Sequence, residues 1–119
     1  MAGAIKTDGT LWAWGYNGNY GQLGLNNRTN YSSPVQVPGT TWSQICFVGT
    51  GTLATKTDGT MWAWGRNPEG QLGLNNTTNY SSPVQVPGTT WSTISASGGV
   101  MSAALKTDGT LWTWGYNND

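Results

Sequence analysis

The decamer Lys6-Thr-Asp-Gly-Thr-Leu-Trp-Ala-Trp-Gly15 recurs along this chain as Lys56-Thr-Asp-Gly-Thr-Met-Trp-Ala-Trp-Gly65 and as Lys106-Thr-Asp-Gly-Thr-Leu-Trp-Thr-Trp-Gly115. The first residues of the three copies lie 50 positions apart. Between the copies, residues 29–43 are identical in sequence to residues 78–92. Self-similarity at a fixed period of this length is the signature of repeat architectures, in which each copy forms one small supersecondary unit. We therefore interpret the chain as about two and a third tandem repeats.

Each decamer contains an Asp-Gly dipeptide between two apolar runs: Asp8-Gly9, Asp58-Gly59 and Asp108-Gly109. This dipeptide favours a two-residue hairpin loop, because both central positions of a type I′ turn need a positive φ that Asp and Gly tolerate. The decamers are therefore predicted to be β-hairpins, in which Asp and Gly serve the backbone of the turn.

The second strand of each predicted hairpin has apolar residues on both faces. Side chains alternate along a strand, so Trp12 and Trp14 share one face while Leu11 and Ala13 share the other. A strand that is apolar on both sides needs a cover on both sides, as stacked sheets provide. We therefore predict structural core positions at Trp12, Trp14, Trp62, Trp64, Trp112 and Trp114. Trp42 and Trp91 are expected either in the core or along a central channel.

No segment has a sustained helical period, and four stretches of the middle repeat are typical of strands: residues 42–48, 52–56, 60–64 and 83–87. The last of these is bounded by prolines, which suits the edge of a sheet. Four-stranded antiparallel sheets that repeat at roughly 50 residues are the blades of a β-propeller. The predicted class is all-β, with a partial blade over residues 1–41 that lacks its leading strand, a complete blade over 42–90, and a partial blade over 91–119 that lacks its last strand.

Three blade equivalents are too few for a closed propeller, which needs about 4–8 blades. Both ends of the sequence fall within a repeat, because Met1 is level with Met101 and Asp119 is level with a loop. We therefore expect an incomplete propeller, or a part of a larger or oligomeric one. Unpaired strand edges template pairing with another chain, so neighbouring copies are expected to complete the partial blades.

The pattern Lys-Thr-Asp-Gly-Thr-Leu-Trp-Ala-Trp-Gly-Tyr-Asn, followed by Gly-Gln-Leu-Gly, resembles the repeat of the regulator of chromosome condensation family, including its bacterial and phage-like arrays. The resemblance covers nearly the whole chain and implies propeller blades, which in most members act as protein-binding scaffolds. The family commonly has a Gly-x-His before the lysine strand, whereas Gly51 and Met101 stand at those histidine positions here. The fold is therefore carried over, but the nucleotide exchange and the chromatin binding of the founding member are not.

The composition argues against two classes of partner. The chain has 5 basic and 5 acidic residues and a formal net charge of zero, with its lysines scattered singly. Nucleic-acid binding needs clustered Lys and Arg, so it is not expected. No run of 18 apolar residues is present, so no membrane span is expected. No signal peptide is visible in this segment, and an extracellular, cell-surface or virion location is favoured without being established.

Residues for catalysis are scarce. The chain contains no histidine, and its single cysteine, Cys46, can form no disulfide within the chain. A lone cysteine without a histidine partner is not an activated nucleophile, and the aspartates of the decamers are expected to be turn residues. The sequence therefore predicts a protein that is not an enzyme and that uses no cofactor and no metal.

The remaining candidate site is the variable loop after each decamer, because variable loops on rigid scaffolds often form binding surfaces. Its candidate interaction residues are Tyr16, Asn17, Asn19, Tyr20, Arg66, Asn67 and Glu69. The favoured function is a non-catalytic scaffold that binds protein, including copies of itself through its incomplete blades. The alternative is a lectin-like propeller that stacks sugars on its Trp- and Tyr-rich loops.

Overall fold

The computed structural model describes residues 1–97 and 99–115, and in this part of the chain every regular element is a β-strand. The strands are β1 (Ala2–Ile5), β2 (Leu11–Gly15), β3 (Tyr31–Val37), β4 (Trp42–Val48), β5 (Gly51–Lys56), β6 (Met61–Gly65), β7 (Tyr80–Val86), β8 (Trp91–Ser97), β9 (Met101–Lys106) and β10 (Leu111–Gly115). The all-β prediction is confirmed. Within the same residues there is no helix long and apolar enough to cross a membrane.

The strands form three antiparallel sheets, with one complete sheet between two smaller ones. The orders are β1-β2-β3, then β4-β5-β6-β7, then β8-β9-β10. The first sheet has no counterpart of β4, and the described part of the third has no counterpart of β7. Residue 98 and residues 116–119 of the third predicted unit lie outside the described residues.

The outer strand β7 begins earlier than the sequence predicts and contains Pro83 within the strand. Proline has no N–H to donate to a ladder, so it is tolerated where that position faces away from the sheet. Because β7 lies at the edge of its sheet, Pro83 fits there without leaving a ladder bond unmade. The strand therefore spans residues 80–86, whereas the predicted strand spans residues 83–87.

The predicted type I′ hairpin turn is wrong. Gly9 has a positive φ of 84°, but Asp8 does not adopt a positive φ. Gly9 N donates to Lys6 O at 3.0 Å and Lys6 N donates to Thr10 O at 2.9 Å. This is a three-residue loop in which a type I turn is followed by one left-handed glycine. The Asp8 carboxylate selects it by accepting bonds from Thr10 N and Thr10 Oγ1, at 3.0 and 2.6 Å.

The three sheets converge at one side of the molecule. Close approaches between sheets join β1 to β4, and β4 and β5 to β8. At the convergent side, a Cβ on Gly49 would collide with the carbonyl oxygen of Gly99. This glycine therefore permits two neighbouring sheets to approach backbone to backbone. Such a fan of sheets is the arrangement expected of successive propeller blades.

The hydrophobic core lies between sheets. One cluster joins the first and second sheets and contains Leu11, Ala13, Leu23, Val37, Trp42, Ala54 and Trp64. The other joins the second and third sheets and contains Val48, Leu53, Met61, Ala63, Leu72, Val86, Trp91 and Ala104. The first sheet is thus covered by the second and the second by the third, and these two clusters lie between sheets rather than within one.

The matched pair Leu11 and Leu111 tests this arrangement, because the two occupy the same decamer position. Leu11 is fully buried by the second sheet, whereas Leu111 is 65% exposed. We expect Leu11→Ala to lower the free energy of unfolding by about 2–5 kcal/mol, and Leu111→Ala to change it by about 0.5 kcal/mol or less. Urea denaturation of dilute protein, followed by tryptophan fluorescence, measures both. Equal losses would contradict the assignment of the core to the spaces between sheets.

Candidate interaction surface

A loop of the first unit, residues 16–30 between β2 and β3 and here called the fastening loop, is attached to the second sheet through one backbone carbonyl. The Gln22 carbonyl oxygen accepts hydrogen bonds from Trp64 Nε1 at 3.0 Å and from Thr52 Oγ1 at 3.2 Å. Gly24 lies against the same indole, and a Cβ there would stand 2.7 Å from Trp64 Nε1. The segment Gly-Gln-Leu-Gly therefore brings one acceptor and a flat surface to the tryptophan of the following unit.

The second and third units repeat this junction. The Gln71 carbonyl oxygen accepts from Trp114 Nε1 at 2.8 Å and from Ser102 Oγ at 2.7 Å. A Cβ on Gly73 would again stand 2.8 Å from the indole. Thr52 and Ser102 occupy equivalent positions, so a hydroxyl is supplied at both junctions.

Asn17 holds the fastening loop in shape from inside. The residue is fully buried, and its Nδ2 donates to Asn27 O at 2.9 Å. Its Oδ1 accepts from Leu23 N at 2.9 Å, and its backbone N donates to Asn30 Oδ1 at 2.7 Å. Asn67 makes the equivalent bonds in the next unit. Buried loop backbone needs such partners, because no neighbouring strand supplies them.

The prediction that Asn17 and Asn67 form part of an exposed interaction loop is therefore wrong, since both side chains are fully buried. No fixed spacing marked these two residues, because Asn17 lies 10 positions before its partner Asn27 whereas Asn67 lies 9 positions before Asn76.

The other candidate loop residues lie at the surface. Tyr16 is 49% exposed and donates its hydroxyl proton to Asn19 Oδ1 at 2.9 Å. Arg66 and Glu69 form a two-point ion pair, with Nη1 to Oε2 at 2.7 Å and Nη2 to Oε1 at 3.2 Å. This pair raises the pKa of Arg66 and lowers that of Glu69, and the Tyr20 hydroxyl further raises the pKa of Arg66. The surface is therefore polar, with its charges already paired.

The six tryptophans predicted as core positions fall into different environments. Trp64 is buried, and Trp14, Trp12, Trp62 and Trp114 are partly buried. Trp112 is 48% exposed, so its prediction as a core position is wrong. Its counterpart Trp62 lies beside the outer strand β7, whereas the described residues of the third sheet contain no such strand.

The decamer lysines lie over tryptophan rings. Lys56 Nζ stands 4.9 Å from the ring centroid of Trp42 and 4.4 Å from that of Trp62. Lys106 is placed in the same way between Trp91 and Trp112, at 5.0 and 4.4 Å. Cations are attracted to the faces of aromatic rings, and tryptophan is the strongest partner. Lys56 and Lys106 are thus each held between two indoles, and Lys6 Nζ lies 4.2 Å from the ring centroid of Trp12, so these lysines contribute little to a free positive surface.

The pKa shifts of the described aspartates and of Cys46 have local causes. Thr10 donates hydrogen bonds to the Asp8 carboxylate and thereby lowers its pKa. The pKa values of Asp58 and Asp108 are lowered in the same way by Thr60 and Thr110. Partial burial raises the pKa of the Cys46 thiol, which disfavours the reactive thiolate. Among residues 1–97 and 99–115, no three His, Cys, Asp or Glu side chains are grouped as a metal site requires.

The third sheet presents an apolar face that neither earlier sheet leaves open. Leu111 is 65% exposed and its cross-strand partner Leu105 is 40% exposed. The counterparts of Leu111 in the first two sheets, Leu11 and Met61, are fully buried. The first sheet has the opposite open face, on which Trp14 Nε1 makes no hydrogen bond to any described residue. Sequence reasoning missed the Leu111 face, because Leu11 and Leu111 occupy the same position of nearly identical decamers, which carry no information about which copy has a neighbour.

Comparison with known proteins gives a family match and a fold match. Residues 8–54 and 58–105 match the family model described as the regulator of chromosome condensation (RCC1) repeat. Human WBSCR16 is 25% identical with a TM-score of 0.79, and the alignment covers 96% of this chain and 30% of that one. No curated protein matches significantly.

Two yeast structures extend the fold match, and their alignments each cover 96% of this chain. Yeast RCC1 (Prp20) bound to Kap60 is 20% identical, with a TM-score of 0.79 and 30% of that chain covered. Prp20p from Saccharomyces cerevisiae is 19% identical, with a TM-score of 0.78 and 31% of that chain covered. These matches confirm the predicted β-propeller class, and this chain spans about 30% of the length of the structures it resembles.

Replacement of the buried loop asparagine should destabilise the chain. Asn67→Ala leaves the Leu72 N–H and the Asn76 carbonyl without their bonds, so we expect a loss of about 2–4 kcal/mol in the free energy of unfolding. Asn19→Ala, at an exposed position in the preceding loop, is the control and should cost about 0.5 kcal/mol or less. Urea denaturation compares the two, and a loss for Asn67→Ala as small as the control's would contradict the role assigned to the amide.

The lowered pKa values of Asp8, Asp58 and Asp108 predict that the folded chain loses stability as the pH falls. Hydrogen bonds from the turn threonines lower their pKa values in the folded chain below the ordinary 3.8, so their contribution to stability is complete above that pH and is lost as the pH falls through the folded values. The triple variant Asp8→Asn, Asp58→Asn, Asp108→Asn should therefore lose stability less steeply than the wild type below about pH 4. Thermal unfolding across this pH range measures the slopes, and parallel slopes would refute the assignment.

Proposed function

Since the chain belongs to the regulator of chromosome condensation (RCC1) repeat family, we propose that it acts as a non-catalytic β-propeller scaffold for protein–protein interaction and that it associates with further copies of itself through its open sheet faces. RCC1-type repeats are commonly protein-interaction scaffolds. Yeast RCC1 (Prp20) has been solved bound to Kap60, and Prp20p has been studied for its binding to Gsp1p and histones. These relatives support protein as the class of partner.

The observation that carries the proposal is the pair of open faces on the first and third sheets. The chain builds the same interface twice. The Leu11 face of the first sheet packs against the second sheet, and the Met61 face of the second sheet packs against the third. The third sheet has a Leu111 face of the same kind. The first sheet has a Trp14 face, which is equivalent to the faces by which the second and third sheets contact the preceding unit through Trp64 and Trp114. A second copy can therefore stack head to tail on the first.

Stacking of this kind joins two different surfaces, so it produces rings where the rotation closes and filaments where it does not. Complete burial of a leucine side chain contributes roughly 1.5–3 kcal/mol, and two leucines with their neighbours give the interface a driving force. A net charge of zero adds little long-range repulsion between copies.

The carbohydrate-binding alternative has weaker support from the geometry. A sugar that stacks on an indole needs an open ring face, and Trp112 is the most exposed tryptophan of the decamers. Lys106 Nζ lies 4.4 Å from the centre of the Trp112 ring and occupies one of its faces. The neighbouring Trp91 also lies edge-on to Trp112, with the ring centroids 6.3 Å apart.

Sedimentation velocity of the chain over a range of concentrations tests the proposal. We expect assemblies larger than a monomer at tens of micromolar, and a weakening of at least about tenfold for Leu111→Asp, because a carboxylate must be desolvated when the face is covered. Thr78→Asp, at an exposed loop position, introduces the same charge elsewhere and is the control. A wild-type chain that stays monomeric throughout, or equal weakening by both variants, rules out stacking through this face.

A further inference from the structure

The buried asparagine of the fastening loop is followed directly by a glycine. Asn17-Gly18 is the only Asn-Gly pair in the sequence, whereas the counterpart of Asn17 in the next unit, Asn67, is followed by Pro68. The backbone nitrogen of the residue after an asparagine can attack the carbon of the side-chain amide. Glycine has no Cβ to hinder this approach, and a proline nitrogen has no proton to lose. The two asparagines therefore differ in chemistry although they make equivalent hydrogen bonds.

The reaction open to Asn17 is deamidation, which consumes only water. Gly18 N forms a bond to Asn17 Cγ, the bond from Cγ to Nδ2 breaks, and the amide nitrogen leaves as ammonia with the proton of the Gly18 N–H. Water then opens the cyclic imide at either of its carbonyls, which leaves an aspartate or an isoaspartate residue. Nothing is oxidised or reduced, and the reaction needs no enzyme. Asparagine is accordingly one of the thermolabile residues.

The folded chain holds the Asn17 amide away from this reaction. Asn17 Nδ2 donates to Asn27 O at 2.9 Å and to Asn27 Oδ1 at 3.0 Å, and Asn17 Oδ1 accepts from Leu23 N at 2.9 Å. Ring closure requires the amide to turn toward Gly18 N and to give up these bonds. The side chain is also fully buried, so water does not reach it in this state.

The backbone around Asn17 is fixed as well. Asn17 N donates to Asn30 Oδ1 at 2.7 Å, and Asn17 O accepts from Gly21 N at 3.3 Å. The Tyr16 ring lies over the glycine, since a Cβ on Gly18 would stand 3.2 Å from Tyr16 Oη. The rotation that brings Gly18 N to the amide carbon is therefore opposed on both sides of the peptide bond.

The second unit closes the fastening loop from outside. Asn26 N donates to Ser81 O at 2.8 Å, and Gly21 has no room for a Cβ because Ser81 lies directly against it. At Gly70, the counterpart of Gly21, the nearest described atom to such a Cβ is 3.9 Å away. The loop that carries the Asn-Gly pair is thus held both by its own amides and by the start of β7.

We propose that Asn17-Gly18 is a site of spontaneous deamidation, which the closed fastening loop keeps unreactive and which becomes reactive when the loop opens. The product cannot restore the closed loop. One oxygen of the new carboxylate still accepts from Leu23 N, but the other faces Asn27 O and Asn27 Oδ1, which are both acceptors. A transient opening is thereby made permanent. The proposal concerns the junction between the first two units and does not depend on self-association.

The test compares the full chain folded in mildly alkaline buffer with the same chain unfolded in guanidinium chloride. Digestion and mass spectrometry follow, at each asparagine, the mass gain that accompanies exchange of –NH₂ for –OH. In guanidinium chloride we expect Asn67 to convert at least about tenfold more slowly than Asn17, because Pro68 has no N–H. In the folded chain we expect Asn17 to convert at least about tenfold more slowly than in guanidinium chloride.

Conversion of Asn17 no faster than that of Asn67 in guanidinium chloride overturns the site. Equal rates for Asn17 in the folded and unfolded chains overturn its protection by the loop. Imide formation at the three Asp-Gly pairs loses and regains water without a net change of mass, so it does not disturb the measurement.

Asn27→Ala tests which bonds protect the amide. It removes one acceptor of Asn17 Nδ2, so conversion of Asn17 in the folded chain should be at least about fivefold faster, the factor that corresponds to one hydrogen bond. Thr78→Ala, at an exposed position of another loop, is the control and should leave this rate unchanged. Both variants should match the wild type in guanidinium chloride. A folded rate in Asn27→Ala equal to that of the control contradicts the assigned protection.

Asn17→Asp reproduces one product of the reaction and tests its consequence. We expect the equilibrium constant for unfolding to rise at least about tenfold, because a buried carboxylate replaces the donor that two oxygens need. Asn19→Asp adds the same charge at an exposed position and is the control. Equal unfolding constants for the two variants, measured by urea denaturation, overturn the claim that conversion keeps the loop open.

Discussion

The hydrogen bond from the Trp64 indole to the Gln22 carbonyl is the contact around which the structure is organised. It crosses from one sheet to the next, and Trp114 repeats it on Gln71. A buried indole N–H needs an acceptor, and a buried loop carbonyl needs a donor, so each satisfies the other where no water is available. The loop must consequently keep one shape, which the buried Asn17 enforces from within.

This junction explains why the units depend on one another. Each sheet is only a few strands wide and has its core on its boundary with the next sheet. The stability of such a stack is close to a sum of intrinsic terms and nearest-neighbour terms, and the nearest-neighbour terms dominate here because the two core clusters lie between sheets. The exposed Leu111 face, and the edge of β10 that has no partner strand among the described residues, are therefore equivalent to surfaces that hold the molecule together elsewhere in the chain. The variable loops are surfaces of a different kind, since Arg66 and Glu69 already neutralise each other.

The repeats also supply internal controls. Leu11 and Leu111, Trp62 and Trp112, and Gly21 and Gly70 are pairs of equivalent positions with a neighbour present in one case and absent from the described residues in the other. The differences in their exposure cannot arise from residue type when the residue is the same. They arise from the presence of an adjacent sheet or strand beside one member of each pair.

The local pattern was sufficient for the period, the hairpins, the four-stranded sheet of the middle repeat and the need for stacking, because alternation and turn residues act within a few positions of the chain. The local pattern did not determine the turn type. Asp-Gly is compatible with both a two-residue type I′ loop and a three-residue loop with one left-handed glycine, and the hydrogen bonds from Thr10 to Asp8 select the three-residue loop. The burial of Asn17 and the exposure of Trp112 were also beyond the pattern. Both depend on groups brought together from different segments. Leu11 and Leu111 occupy the same position of nearly identical decamers and differ in what lies beside them, so tertiary packing decides which copies are covered.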